Sequence, residues 1–196
     1  MKKIAYILGI ICAMTMQSCL DLEPKTQLAD TNYWKSPEHF KLFATQFYGW
    51  SADFRWLDDS QHADIRSDLF AGSTVNIYSN GTNSIPSSDK HYTDNYNRIR
   101  QTNTLLQQAD AYEQQADIAI SVGEARFFRA YCYFNLVRAF GEVPLVTYKI
   151  NDASEANIPK TTADKIYEQI DTDLKTAEES LPETWSTEYT GRLTWG

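Results

Sequence analysis

Apolar residues along the chain gather into one short continuous run and four stretches of helical period. The run, residues 4–16, follows Lys2 and Lys3 and contains Gly9 and Thr15. It is shorter than the roughly 20 apolar residues a helix needs to cross a bilayer. A basic start followed by a short apolar stretch is instead the pattern of a secretory signal. Residues 20–35 are polar and irregular and read as a tether. Ser36, Pro37 and Glu38 then form a helix start, with Ser as N-cap, Pro at the first position and an acid in the first turn. Phe40, Phe43, Phe47 and Trp50 recur at spacings of three and four and make one apolar stripe. A second helix is expected over 89–112, where Tyr96, Ile99, Asn103 and Leu106 share a face. The third, over 117–140, carries Phe128, Tyr131, Leu136 and Phe140 on one side and Phe127, Phe134 and Val137 on another. A helix apolar on more than one face is central in its fold. Gly141 and Pro144 end it. The fourth covers 162–181, with Ile166, Ile170, Leu174, Ala177 and Leu181 in register and Pro182 beyond.

No long alternating stretch predicts a strand, so the fold class is all-α or nearly so. Between the first two helices lie residues 53–88, rich in Asp, Ser, Asn and Gly. A connection of that length without periodicity is functional or disordered. Trp56, Phe70 and Tyr78 argue against disorder, because such rings normally bury against something.

The chain has 196 residues, 42% hydrophobic and 22% charged, a globular composition with material for a sizeable core. Its net charge of −8 argues against a nucleic-acid groove. Aromatics reach 13%, with twelve Tyr and five Trp, residues that serve both cores and wet binding surfaces. Catalytic chemistry is sparse. His39, His62 and His91 stand apart, and no His-Glu-x-x-His, Cys-x-x-Cys, phosphate-binding Gly-rich loop or Gly-x-Ser-x-Gly elbow occurs. Glycoside hydrolysis needs only two carboxylates, so 26 acids leave a surface glycosidase open by count. The ordinary charge fraction favours solvated surface acids, and the chain reads as a non-enzyme with no metal and no cofactor.

Met16-Gln17-Ser18-Cys19 resembles a bacterial lipobox, with Met16 where Leu is usual. The resemblance implies cleavage before Cys19 and a diacylglycerol on its thiol. Residues 1–18 are then a lipoprotein signal peptide and 19–35 a lipidated tether. Cleavage removes Lys2 and Lys3 and makes the mature chain more acidic. It also removes Cys12, so acylation of Cys19 leaves Cys132 as a small core residue with no disulfide partner. Leu20 follows the lipidated Cys, where Asp typically retains lipoproteins at an inner membrane. Asp21 and Glu23 resemble the export signal of surface-exposed lipoproteins in some Gram-negative bacteria.

The stretch from Gly123 through Glu124, Ala125, Arg126, Phe127, Phe128, Arg129, Ala130 and Tyr131 resembles the signature of the SusD/RagB family. It continues in the family pattern from Tyr133 to Val146. Tyr96-Asn97-Arg98-Ile99-Arg100 with Asn103 resembles the preceding family helix, and Ile166-Tyr167-Glu168 through Leu181-Pro182 the following one. Gly191-Arg192-Leu193-Thr194 resembles the segment that opens the family's next helix. The resemblance implies tetratricopeptide-like helix pairs with a long irregular insertion between helices 1 and 2, although strict repeat spacing is absent here. It also implies an outer-membrane lipoprotein that captures glycans, sometimes peptides, and hands them to a SusC-type TonB-dependent transporter. A helical scaffold that binds only partner proteins is the alternative from a different class.

For a glycan, the insertion supplies rings for sugar C–H faces and polar partners for hydroxyls. The candidate contacts are Tyr78, Asn76 and Asn80, with Trp56 and Asp68 as lesser candidates. The competing reading is that these rings only pin the loop. Glu124, Arg126, Arg129 and Arg138 are expected to pair internally. Asn103 is expected to hydrogen-bond backbone across a helix junction. Family members are much longer, so residues 36–196 are expected to be the N-terminal portion of a larger architecture.

Overall fold

The computed structural model describes residues 33–51, 81, 82, 84 and 87–195. Ser36 is extended, Pro37 takes the first helical position, and helix α1 runs over Pro37–Thr45. It does not continue as one α-helix to Trp50: Gln46–Trp50 tightens into a 3₁₀ turn. Helix α2 is Lys90–Asp110, α3 is Gln115–Phe140 and α4 is Ala163–Ser180. Between α3 and α4, β1 (Val143–Pro144) pairs antiparallel with β2 (Lys160–Thr161), Val143 opposite Thr161. The described fold is mostly helical, as the periodicity predicts. The chain clusters into two units, residues 1–35 and 36–196, and all these elements belong to the second.

Local chemistry sets the helix ends. The Asp89 carboxylate accepts the Tyr92 backbone N–H at 3.0 Å and caps α2. At the other end of α2, the Gln115 amide donates to the carbonyls of Ala109 (2.5 Å) and Tyr112 (2.6 Å). The first residue of α3 thereby satisfies carbonyls that the end of α2 leaves open. Gly141, at φ +69°, ends α3, and its N–H returns to the Val137 carbonyl at 2.9 Å.

Helix α3 is the central element and packs against α1, α2 and α4. The stripe of α1 meets it through rings. Phe47 is fully buried, with its centroid 4.5 Å from Trp50 and 5.9 Å from Phe128, while Tyr48 lies 5.1 Å from Phe128. Phe40, Phe47, Phe128 and Tyr133 are therefore core rings. Cys132 is buried and free, and burial pushes its thiol up to about 12. It is the core residue expected of a lone thiol in an apolar helix.

Three expectations need correction. Phe134 and Phe140 are exposed large apolar residues, not core. A helix apolar nearly all round has no single face from which to read what its neighbours cover. Phe134 lies under the Arg138 guanidinium at 5.1 Å, and Phe140 against Tyr92 at 5.2 Å. Arg138 itself is exposed, not internally paired. On α4, Leu174 is 41% exposed while Asp173 is fully buried. At 100° per residue, Asp173 falls about 20° outside the arc spanned by Ile166, Ala177 and Ile170, on the flank that meets Arg126 and Arg129 of α3, and Leu174 falls about 40° outside the opposite edge.

Gly123 sits at a close approach of α3 to the C-terminal end of α4. A Cβ added there would lie 2.9 Å from Ser180 Cβ and 3.3 Å from Leu181 Cγ. In an open helix Gly→Ala stabilises by about 0.5–1 kcal/mol. Here the close approach reverses the sign, and Gly123→Ala is expected to cost about 1–3 kcal/mol. Urea unfolding checks it; a variant as stable as the parent would show that the helices separate freely at this point.

Candidate functional site

Beyond Gly141 the chain leaves α3 and crosses the bundle as a strap, residues 143–148, whose backbone groups need partners. Side chains of α2 and α3 supply them. The Tyr96 hydroxyl donates to the Pro144 carbonyl at 2.6 Å. The Tyr133 hydroxyl accepts the Val146 N–H at 2.7 Å and donates to its carbonyl at 2.9 Å. Asn103 Nδ2 donates to the carbonyls of Val146 (3.0 Å) and Tyr148 (2.9 Å). Burial raises both tyrosine hydroxyls above their ordinary range, so they stay neutral donors.

Arg129 is the centre of the clamp. Its Nε donates to Asp173 Oδ2 at 2.8 Å and its Nη2 to Asp173 Oδ1 at 2.6 Å, a bidentate pair with both side chains buried. Its Nη1 donates to Asn103 Oδ1 at 2.9 Å and to the Thr147 carbonyl at 3.1 Å. One guanidinium thus joins α2, α3, α4 and the strap. Arg126, one turn earlier and 29% exposed, adds Nη1 to Asp173 Oδ1 at 3.0 Å. Its Nε–H has no acceptor among the described residues.

Over this clamp lies a cleft of about 760 Å³, walled by α2, α3, α4 and residues 147–155. Its lining includes Gln107 and Asp110 of α2, Arg126 of α3, Gln169 and Thr172 of α4, and Tyr148 at the end of the strap. Leu106 is the aliphatic exception in a polar lining. Tyr148 is 52% exposed, yet its backbone is fixed by Asn103.

A second clasp is built on α3 five residues before Arg129. The buried Glu124 carboxylate accepts the Tyr48 hydroxyl at 2.6 Å, and Arg192 Nη2 reaches both of its oxygens at 2.6 Å. The Tyr48 hydroxyl in turn accepts the Leu193 N–H at 3.0 Å. Arg192 lies 5.6 Å from the Tyr48 ring and 5.5 Å from the Trp185 ring. The Gly-Arg-Leu-Thr segment is non-helical, turning at Gly191 with φ +95°. Glu124, Arg126 and Arg129 are paired internally, and Asn103 binds backbone, as their positions in apolar helices imply.

Cys19, Trp56, Asp68, Asn76, Tyr78 and Asn80 lie outside the described residues. Among the described residues the geometry instead gathers Arg126, Tyr148 and Gln169, none of them a sequence candidate for ligand. The available signal was indirect: Asn103 and Arg129 each interrupt an apolar stripe, which requires a shared polar partner.

Helix pairs around a clamped strap define a helical scaffold with an open polar cleft. A family model described as "Starch-binding associating with outer membrane" matches residues 19–195, and the chain belongs to this SusD-like family. It is 30% identical over 191 residues to SusD-like protein P2 of Formosa agariphila, covering 89% of this chain and 37% of the relative. A second relative from the same organism, SusD-like protein P38, is 26% identical and is covered over 36% of its length. The chain thus spans little more than a third of the curated relatives it matches. Among solved structures, a laminarin-binding SusD-like protein aligns at 31% identity with a TM-score of 0.56, over 61% of this chain and 26% of that one. A SusD-like protein from Bacteroides fragilis shares the fold, with a TM-score of 0.68 at 22% identity, over 85% of this chain and 34% of that one.

Proposed function

We propose that this protein is a non-catalytic, glycan-binding lipoprotein of the outer-membrane surface. It captures oligosaccharide or polysaccharide and delivers it to a SusC-type TonB-dependent transporter. Membership of a family described as starch-binding and outer-membrane associated carries the reading. The 31% identity to a laminarin-binding relative supports it. In this reading Cys19 carries the lipid, residues 19–35 tether the body, and Tyr78, Asn76 and Asn80 meet the ligand with help from Trp56 and Asp68.

Affinity electrophoresis in gels containing laminarin or soluble starch tests the reading. Retardation of the parent chain in at least one gel is expected, with weaker retardation of Tyr78→Ala. Migration unchanged by either polysaccharide would overturn glycan binding. Unchanged retardation of Tyr78→Ala would remove the loop assignment alone.

A further inference from the structure

Resting on the glycan-binding reading above, we propose that the cleft over the Arg129 clamp is a carbohydrate-binding site in its own right. Four observations converge on it. Its volume of about 760 Å³ falls within the roughly 300–1,000 Å³ of small-ligand sites. Its lining is rich in groups that both donate and accept, the amides of Gln107 and Gln169 and the hydroxyl of Thr172 among them. Sugar hydroxyls, which also do both, are the natural partners of such a set.

Charge narrows the class. Arg129 is neutralised by Asp173, and the cations Arg126 and Lys149 in the lining are balanced by Asp110 and Glu155. A phosphate or polyanion would gain little from that balance, whereas an uncharged polyhydroxylated chain loses nothing to it. Arg126, 29% exposed, brings its guanidinium to the lining with Nη1 held on Asp173.

Tyr148 supplies the face. Its half-exposed ring lines the cleft, and an aromatic ring there offers packing for the C–H face of a pyranose. Unlike a tyrosine on a free loop, it stands on backbone held by Asn103 at its own carbonyl and by Arg129 at the carbonyl before it. The platform is ordered before ligand arrives, which lowers the entropy lost on binding.

Calorimetry of the full chain with maltoheptaose and laminarihexaose tests the site. Tyr148→Ala and Gln169→Ala are expected to weaken binding of the accepted sugar by about tenfold or more. Tyr167→Ala, an exposed tyrosine on α4 outside the cleft, is expected to leave it unchanged. Both cleft side chains are partly solvent-exposed, and the clamp holds Tyr148 through its backbone, so thermal melts are expected to match the parent. Parental affinity in both cleft variants would overturn the site while leaving glycan binding intact. Absence of binding heat in the parent with either sugar would overturn the site and contradict the reading beneath it. A tenfold loss in Tyr167→Ala equal to that in Tyr148→Ala would also overturn it, because the effect would not belong to the cleft.

Discussion

Asp173→Ala is expected to lower the unfolding free energy by about 3–5 kcal/mol, the usual cost of removing one member of a buried ion pair. The magnitude comes from what remains. Arg129 cannot lose its charge and is buried, so its Nε and Nη2 donors would face an empty site in the interior. The Arg126 contact to the same oxygen would also be lost. Arg126→Ala is expected to cost far less, since its head reaches solvent and the Arg129 pair survives. Leu174→Ala, one residue away but at the exposed edge of the stripe, is expected to fall within about 1 kcal/mol of the parent. Urea titration of the three variants gives the ranking, and an Asp173→Ala shift no larger than that of Leu174→Ala would show that the pair holds nothing together.

The second large effect is expected at Glu124. Its alanine variant removes the acceptor shared by Tyr48 and Arg192, leaving a guanidinium that is 13% exposed without its counter-charge. A loss of about 3 kcal/mol is expected, with local release of the segment around Trp185–Leu193. Tryptic cleavage after Arg192 is the local readout and should accelerate well beyond what the global destabilisation predicts. Glu124→Gln retains an acceptor for Tyr48 but not the charge, so it should fall between parent and alanine. If cleavage after Arg192 proceeds at the parental rate in Glu124→Ala, the carboxylate is not what anchors that segment.

The helices were legible because their ends carry strong local chemistry. Pro37, Asp89, Gly141 and Pro182 each mark a boundary through one residue's own conformational or capping preference. The clamp was half legible: Asn103 and Arg129 stand out against apolar neighbours. Asp173 did not, because counting Leu174 into the stripe displaced it by one residue, and an acid in a charged helix attracts no notice. The exposed positions of Phe134 and Phe140 depend on which neighbours dock around α3, information that periodicity along one helix does not contain. The cleft was invisible for a related reason. Its walls come from four separate stretches, and no local pattern links Gln107, Arg126, Tyr148 and Gln169.

The Tyr48 hydroxyl bonds to Glu124, 76 positions later, and to Leu193, 145 positions later; Lys41 reaches Tyr189 across 148. The clamp draws on nearer neighbours: Asn103 is separated from Val146 by 43 positions and Arg129 from Asp173 by 44. Loop closure is entropically cheaper for the shorter separations. Assembly should therefore begin with α2, α3, the strap and α4, while α1, made earliest, waits for partners that emerge late. The earliest made of the four helices is then the last to be secured, and a folding nucleus measured by mutation should lie in the middle of the sequence, with α1 contributing chiefly to the unfolding rate.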